Sequence, residues 1–183
     1  LQETETVSLH GRAIDLIRPL LHPGRRVLAL TSDGAAPAAI ARLLGEEGFG
    51  ASTFVVLEAL GGEAETISRL SARDVGERRF NDLNVVALEV EAEPDARILP
   101  LGFGLDEGLF EHDGQITKRE IRAATLAALS QRRGELLWDI GAGSGSIGIE
   151  WMLAHPSLRA VAIERDEERA QRIGRNAARF GVP

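Results

Sequence analysis

The sequence predicts an α/β fold built from two pieces. Segments typical of strands alternate with segments typical of helices on both sides of an irregular stretch at residues 92–114. In the later piece a glycine-rich turn, "GAGSG" at 141–145, lies between a strand-like and a helix-like segment. Turns of this kind bind ligands in many α/β proteins. We therefore predict two α/β domains at residues 1–91 and 115–183, joined by a linker at 92–114.

The composition excludes several classes of function. Of 183 residues 44% are apolar, and no apolar run reaches the roughly 20 residues that a membrane span needs. There is no cysteine, so disulfides, thiolate nucleophiles and zinc–thiolate sites are excluded. The formal charge of −7 argues against a general nucleic-acid binder. With no basic-then-apolar leader in view, we expect a cytoplasmic protein that binds neither nucleic acid nor membranes.

The first piece opens with a strand–helix–strand pattern. "RRVLAL" predicts a strand, "PAAIARLLGEEG" a helix that Pro37 opens and that ends near Gly48, and "ASTFVVLE" a second strand. "AETISRLSARDVGERRF" predicts a helical or mixed segment, and "LNVVALEVE" predicts a further strand. Residues 92–114 then contain two prolines and four glycines without periodicity, which is typical of a linker.

The second piece opens with a helix and continues as a strand–helix–strand–helix pattern. "TKREIRAATLAALSQR" predicts an amphipathic helix with a capping box between Thr117 and Glu120. Helical spacing places five of its residues on one apolar face: Ile121, Ala124, Thr125, Ala128 and Leu129. "ELLWDI" and "AVAIE" predict strands, while "SIGIEWMLAH" and "DEERAQRIGRNAARFG" predict helices.

Two further expectations concern how this second piece is packed. We expect Trp138 and Trp151 to lie in the core. Two strands with two helices cannot cover both faces of a parallel sheet, so we expect the domain to be truncated in this chain.

The glycine turn favours one type of ligand. A dinucleotide fingerprint would need glycine where Ser146 stands, and no Gly-Lys-Ser/Thr follows, as a nucleotide-phosphate loop would require. Instead Asp139 ends one strand, and Glu164 closes the next, 19 residues after Gly145. A carboxylate in that place can accept hydrogen bonds from both hydroxyls of a ribose.

This arrangement resembles the S-adenosylmethionine site of Rossmann-like methyltransferases. Over residues 104–183, "GQITKREIRAATLAAL" and "LLWDIGAGSGSIGIEWM" resemble the CbiT-type domain of precorrin-6Y C5,15-methyltransferases (decarboxylating), which act in cobalamin biosynthesis. "VSLHGRAIDLI", "LTSDGAAPAAIARLLGEEGFG" and "EALGGEAETI" are similar to the C-terminal half of CbiE-type tetrapyrrole methylases. The order of the two pieces is that of the fused CobL type.

The resemblance implies both a fold and a reaction. Residues 1–91 would be the C-terminal half of a tetrapyrrole-methylase domain, and residues 115–183 the start of a Rossmann-like methyltransferase domain, so that both are truncated. The reaction would be methylation of a precorrin at C5 and C15 with loss of carboxylate from an acetate side chain. S-adenosylmethionine would be the methyl donor, and the later domain would carry out C15 methylation and decarboxylation.

The residues and the resemblance together give a set of candidate site residues. The expected cofactor contacts are Thr117, Asp139, Gly141, Ala142, Gly143, Ser144, Gly145 and Glu164. A basic cluster of Lys118, Arg119 and Arg122 could pair with the carboxylates of an anionic precorrin, although a solvated helix face also explains it. Neither a catalytic residue nor a metal ligand is assigned. Ser32 and Ala36 depart from the "TDG" and "TPAAIA" strings of the methylases, which leaves contacts in that loop open.

Three other functions are compatible with parts of the sequence. The chain could belong to another Rossmann-like S-adenosylmethionine-dependent methyltransferase acting on RNA, protein or a small metabolite. A nicotinamide-dependent oxidoreductase is disfavoured by Ser146. A noncatalytic binding or assembly fragment would bind neither cofactor nor tetrapyrrole. The sequence is also compatible with a homo-oligomer.

Overall fold

The chain divides into two structural units. A computed structural model describes residues 4–183, and the boundary between the units falls between Leu99 and Pro100. That boundary lies inside the stretch at 92–114 for which a linker is predicted. Both units combine helices with a sheet, as the sequence predicts.

The first unit is built on a five-stranded sheet in the order β1-β2-β5-β3-β4. β1 and β2 are parallel, whereas β5 is antiparallel to both of its neighbours, β2 and β3, and β4 is antiparallel to β3. The elements are β1 (Thr4–Ser8), β2 (Arg26–Leu30), α1 (Ala36–Glu46), β3 (Thr53–Glu58), β4 (Thr66–Ser71) and β5 (Asn84–Glu89), with short 3-10 segments at Ile14–Leu20 and Ala72–Asp74.

The segment at residues 64–80, predicted to be helical or mixed, is mixed and mainly not helical. Its first part forms strand β4, which pairs with β3 from Thr66 to Ser71. Only the three residues Ala72–Asp74 turn helically. The sheet edge offered by β3 overrides the weak helical pattern of this segment, because strand pairing depends on a neighbour rather than on local propensity.

Helix α1 begins and ends close to its predicted bounds. Pro37 lies in its first turn, where a missing N–H costs nothing. Gly48 adopts φ = 81°, and the N–H of Phe49 donates to the carbonyl of Leu44, so that a glycine ends the helix. The helix buries Ile40, Ala41, Leu43 and Leu44 against the sheet residues Val27, Ala29, Phe54, Val56 and Val86.

The second unit is a parallel strand–helix–strand motif with a helix before and after it. Its elements are α2 (Arg119–Leu129), β6 (Leu136–Ile140), α3 (Ser146–Leu153), β7 (Arg159–Ile163) and α4 (Glu167–Arg179), preceded by a 3-10 turn at Glu107–Leu109. β6 and β7 pair in parallel from Leu136 with Arg159 to Ile140 with Ile163. The strands β6 and β7 and the helices α2, α3 and α4 lie where the sequence predicts them, and the glycine turn separates β6 from α3.

The predicted buried face of α2 is wrong. Ile121 and Leu129 are 58% and 43% exposed, while Arg122 and Leu126 are fully buried. The helix therefore turns the opposite face inward, because Arg122 is held by a buried acid described below. Leu126 packs with Trp151 and Leu158 in the core of the unit.

One face of the two-stranded sheet is exposed. Helix α3 covers Leu137 and Ala160, whereas Leu136, Trp138 and Ile140 alternate with the covered positions and point to the other side. Trp138 is 62% exposed, so its predicted place in the core is wrong. Trp151, on α3, is buried as predicted.

Candidate cofactor-binding site

A cleft of the second unit lies at the carboxyl ends of its strands. β6 ends at Ile140 and β7 at Ile163, and because the strands are parallel both ends meet at one edge of the sheet. The cleft encloses about 380 Å³, which is within the common range of small-molecule sites. It is lined by Gln115, Ile116, Thr117, Asp139, Gly141, Ala142, Gly143, Ser144, Ser146, Ile147, Glu164 and Arg169.

All but one of the predicted cofactor residues line this cleft. The exception is Gly145, which is buried and faces helix α4. A Cβ atom at this position would lie 2.8 Å from Cγ2 of Ile173, so glycine is needed for close packing of the turn on α4. The three glycines of the turn, Gly141, Gly143 and Gly145, have φ of 79°, 58° and 77°, a left-handed region that other residues rarely adopt.

The amide groups of the turn are not as free as the sequence suggests. The N–H groups of Gly141 and Ala142 both donate to the carbonyl of Ile163, at 2.8 and 3.2 Å. Gly145 donates to the carbonyl of Ala142 at 2.8 Å. These three amides are therefore not available to a ligand, because the turn folds back on the end of β7 and on itself.

Free donors lie one step further along the chain. For the N–H groups of Ser146 and Ile147, which begin helix α3 and line the cleft, no acceptor occurs among residues 4–183. The first N–H groups of a helix lack partners within the helix and attract negative charge. These donors can therefore bind an anionic group of a ligand.

Glu164 is held in place by backbone donors. Its Oε2 accepts from the N–H of Gly143 at 2.9 Å, and its Oε1 accepts from the N–H of Asp166 at 3.0 Å. These hydrogen bonds, that from Asp166 first, lower the pKa of the carboxyl group below its ordinary value. Glu164 is therefore an ionised, oriented acceptor, and each carboxylate oxygen keeps a lone pair for a donor in the cleft.

The pKa of Asp139 is shifted in the opposite direction. Burial raises the pKa of its carboxyl group, and a hydrogen bond from the N–H of Gly148 to Oδ2, at 3.2 Å, only partly offsets this effect. A carboxylate that is costly to keep charged gains from a nearby cation. Asp139 is thus suited to a cationic group in the cleft.

Ser144 carries an unsatisfied polar atom in the cleft wall. The residue is 3% exposed, and its Oγ has no hydrogen-bond partner within the described part of the chain. Buried hydroxyl groups are nearly always paired, so an unpaired one that lines a cleft fits a polar ligand.

The basic cluster of α2 separates into exposed and buried members. Lys118 and Arg119 are exposed, and Arg119 lies 3.7 Å from Asp106. Arg122 is fully buried, and its Nε donates to Oε1 of Glu150 at 2.7 Å. The predicted substrate contact by Arg122 is therefore wrong, because its guanidinium group is buried and hydrogen-bonded within the protein.

The buried pair holds the backbone at residues 104–105 and at Thr117. Arg122 also donates to the carbonyls of Thr117 and Leu105, and Glu150 accepts from the N–H groups of Gly104 and Leu105. The predicted capping box between Thr117 and Glu120 is also wrong. Helix α2 begins at Arg119, whose N–H donates to Glu107 at 2.7 Å, so that Glu107 supplies the cap expected from Thr117.

Sequence reasoning missed five residues of the cleft wall, which come from three places in the chain: Gln115, Ile116, Ser146, Ile147 and Arg169. Arg169 carried a usable signal, because it stands in the first turn of the helix that follows Glu164. Gln115 and Ile116 carried none, since they lie at the border of the segment predicted as irregular.

Across the described ranges, no three His, Asp or Glu side chains are grouped closely enough to hold a metal ion. Within residues 4–183, no helix has the length and apolar character required to cross a bilayer.

Comparison with known proteins extends these observations. Residues 108–183 match the family model described as "Precorrin methyltransferase domain". The chain is 61% identical over all 183 residues to the precorrin-6Y C(5,15)-methyltransferase [decarboxylating] of Sinorhizobium sp, of which it covers 44%. It is 48% identical over 167 residues, 87% of the chain, to the Mycobacterium tuberculosis (strain CDC 1551 / Oshkosh) protein of the same name, of which it covers 40%.

A solved structure is also similar in part. The C-terminal domain of precorrin-6Y C5,15-methyltransferase from Rhodobacter capsulatus shares 51% sequence identity over 46% of this chain and 45% of its own, with a TM-score of 0.44. The chain spans less than half the length of the curated relatives that it matches. The resemblance drawn from the sequence is nonetheless confirmed: along its whole length the chain is similar to the precorrin-6Y C(5,15)-methyltransferases (decarboxylating).

Proposed function

We propose that this chain is part of an S-adenosylmethionine-dependent methyltransferase that methylates a precorrin at C5 and C15 and removes carboxylate from an acetate side chain, in cobalamin biosynthesis. The observation that carries the proposal is the 61% identity to the Sinorhizobium enzyme over all 183 residues. Similarity at this level extends through both structural units, so it is not a shared glycine turn alone.

The cleft of the second unit fits S-adenosylmethionine group by group. Ionised Glu164 would accept the ribose hydroxyls, and Asp139 would face the positive charge of the cofactor. The N–H groups of Ser146 and Ile147 would take the carboxylate of its amino-acid part. Ser144 would complete its hydrogen bonding on the ligand.

When bound, S-adenosylmethionine supplies a methyl group activated by the sulfonium for transfer to a carbon of the precorrin. The chain's own residues have the task of alignment, which dominates a displacement of this kind. The apolar side chains of Ile116 and Ile147 line the cleft and would shield the bound methyl group from water. Thr117 lies at its wall, held by the hydrogen bond from Arg122 to its carbonyl.

We further propose a division of labour along the chain. Residues 1–91 would be the C-terminal half of a CbiE-like tetrapyrrole methylase, 92–114 the linker, and 115–183 the first part of a CbiT-like methyltransferase. Support comes from the unit boundary at Leu99 and from the family model, which matches residues 108–183. A Saccharolobus solfataricus protein named as a probable cobalt-precorrin-6B C(15)-methyltransferase (decarboxylating) is 42% identical over 43% of the chain.

Exposed basic residues at the start of α2 would meet the substrate. Lys118 and Arg119 directly follow Thr117, and a precorrin carries several carboxylates. Their contribution would be charge pairing at the mouth of the cleft.

Calorimetric titration of the 183-residue chain with S-adenosylmethionine tests the proposal first. We expect saturable binding of one equivalent, with circular dichroism to show that the chain is folded. A folded chain that binds none would refute the cofactor assignment. The reaction itself is tested in the enzyme that contains this chain, by mass spectrometry of precorrin-6Y after incubation. The proposal predicts the gain of two methyl groups and the loss of carbon dioxide.

A further inference from the structure

The segment 110–117 forms one wall of the cleft and has almost no regular structure of its own. It follows the 3-10 turn at Glu107–Leu109 and ends just before α2. Its last three residues, Gln115 to Thr117, line the cleft together with residues 141–144 of the glycine turn. The width of the cleft therefore depends on what holds this segment.

Charged pairs hold the segment to helix α4. Asp113 contacts Arg169 at 2.8 Å and Arg172 at 3.2 Å, and Glu111 contacts Arg175 at 2.6 Å. The Arg175 and Glu111 side chains are 49% and 45% exposed. An exposed pair such as this one contributes little to stability, since water and salt screen it. The Arg172 side chain is only 8% exposed, but none of the three pairs reaches the glycine turn.

Asn176 joins the segment and the turn directly. It is fully buried on α4. Its Oδ1 accepts from the N–H of Glu111 at 2.8 Å, and its Nδ2 donates to the carbonyls of Glu111 and Ser144, each at 2.9 Å. One side chain thus bonds the backbone of both walls of the cleft.

The chemistry of these bonds requires an amide. One acceptor and two donors are used at once, which is the set that asparagine offers on a short side chain. Aspartate has the same shape but no donor, so it would set a carboxylate against two carbonyl oxygens in a buried place. A buried polar group that loses its hydrogen-bond partners destabilises the arrangement around it.

We propose that Asn176 is a positioning residue for the cofactor: it ties the segment 110–117 to the glycine turn and sets the width of the cleft before the ligand arrives. This inference rests on the proposed function only for the identity of the ligand. The tie between the two walls is a property of the ligand-free chain, so it can be tested separately.

The first test is the affinity of the 183-residue chain for S-adenosylmethionine after Asn176→Asp. The matched control is Asn84→Asp in the first unit. Asn84 is also buried, and its Nδ2 donates to the carbonyls of Asp33 and Asn81 while its Oδ1 accepts from Thr31. We expect Asn176→Asp to weaken binding about tenfold or more at a temperature where it is folded, and Asn84→Asp to lower stability while leaving affinity unchanged.

Equal affinity of Asn176→Asp and the unaltered chain would overturn the inference, as would an equal loss in both variants. If Asn176→Asp does not fold, Asn176→Ser serves instead, since it retains a small polar group without an added charge. The shorter serine side chain would reach fewer partners, so a weaker loss of affinity in the same direction is expected.

Hydrogen exchange supplies a readout that does not depend on cofactor binding. The N–H of Glu111 reports on the segment, and the N–H of Gly145 reports on the turn. In ligand-free Asn176→Asp we expect both to exchange faster together, with no change at reporter amides of α1. If only Glu111 or neither is affected, the two walls are not tied by Asn176 and the inference fails. A chain that binds no cofactor yet shows the joint change would refute the proposed function and leave the tie established.

Discussion

Two turns of this chain have the same place in a fold and opposite character. Each follows a strand and precedes a helix: residues 31–35 lie between β2 and α1, and residues 141–145 between β6 and α3. The first turn is packed against other residues of its unit, whereas the second borders a cleft of about 380 Å³. A polar, glycine-containing turn after a strand is therefore not by itself a ligand site.

In the closed turn every polar side chain has an internal use. Thr31 donates to Asn84, and Ser32 Oγ donates to the carbonyl of Leu9 while accepting from Gly11. Asp33 accepts from the N–H groups of Ala35 and Ala36 at the start of α1. A Cβ atom on Gly34 would lie 2.1 Å from the carbonyl oxygen of Phe80. Glycine here allows two stretches of backbone to touch.

In the open turn glycine leaves room instead. Nothing among the described residues lies within 4 Å of a Cβ built on Gly141. Ser144 Oγ has no partner there either, and Glu164 faces the cleft with lone pairs to spare. Besides their glycine content, the two turns differ in the partners that the rest of the fold supplies.

Matched glycine substitutions give the largest expected contrast. Gly34→Ala should destabilise the first unit by more than about 4 kcal/mol, because a backbone oxygen blocks the new methyl group. Gly141→Ala meets only the strain of its positive φ and should cost about 1–3 kcal/mol. Urea denaturation of both variants measures this difference. Similar losses for the two would show that the turns are not closed and open in the way described.

The buried ion pair gives the next largest effect. Arg122→Ala should destabilise the second unit by about 3 kcal/mol, because Glu150 would stay buried without its partner. The double variant Arg122→Met with Glu150→Leu should recover only part of that loss, because no charge is then left unpaired but the N–H groups of Gly104 and Leu105 lose their acceptor. Thermal unfolding followed by circular dichroism compares the two. A single variant as stable as the parent would contradict the burial of this pair.

A third prediction replaces one carboxylate beside each turn by an amide. Glu164→Gln should weaken S-adenosylmethionine binding about tenfold, because a charged acceptor for hydroxyl groups becomes a neutral amide. Asp33→Asn is the control, as Asp33 also accepts two backbone N–H groups after a strand. Calorimetry should show unchanged affinity for that control. Equal affinity of all three proteins would refute the ribose assignment.

The smallest expected effect concerns pH. Hydrogen bonds from the N–H of Gln115 and from Arg169 hold the pKa of Asp113 well below its ordinary value, so its charged form is favoured in the folded state. A lowered pKa contributes stability above the unfolded value of about 4, and this contribution is lost as pH falls. The stability of the second unit should fall as the pH drops below about 4. In Asp113→Asn this fall should be less steep. Identical pH profiles would contradict these contacts.

The sequence predicts those parts of the molecule that local patterns determine. The apolar periodicity predicts the strands and helices of the second unit. The position of the site is predicted by the glycine turn after one strand and by the acid after the next. Thr117, Asp139 and Glu164 line the cleft as expected.

What the sequence could not predict depends on distant partners. The burial of Arg122 depends on Glu150, 28 residues away, and Asn176 bonds to Ser144 and Glu111, 32 and 65 residues away. Strand β4 depends in the same way on the edge of β3. The amides of Gly141 and Ala142 are occupied by Ile163, which only the pairing of β6 with β7 brings close. Local patterns carry no information on such contacts.

Amide-resolved NMR titration of the 183-residue chain with S-adenosylmethionine tests the central claim most directly. The account predicts saturable shifts at Ser144, Ser146 and Ile147, with residues 31–35 unchanged throughout the titration. Shifts confined to residues 31–35, or none at the cleft under conditions where the chain is folded, would contradict it.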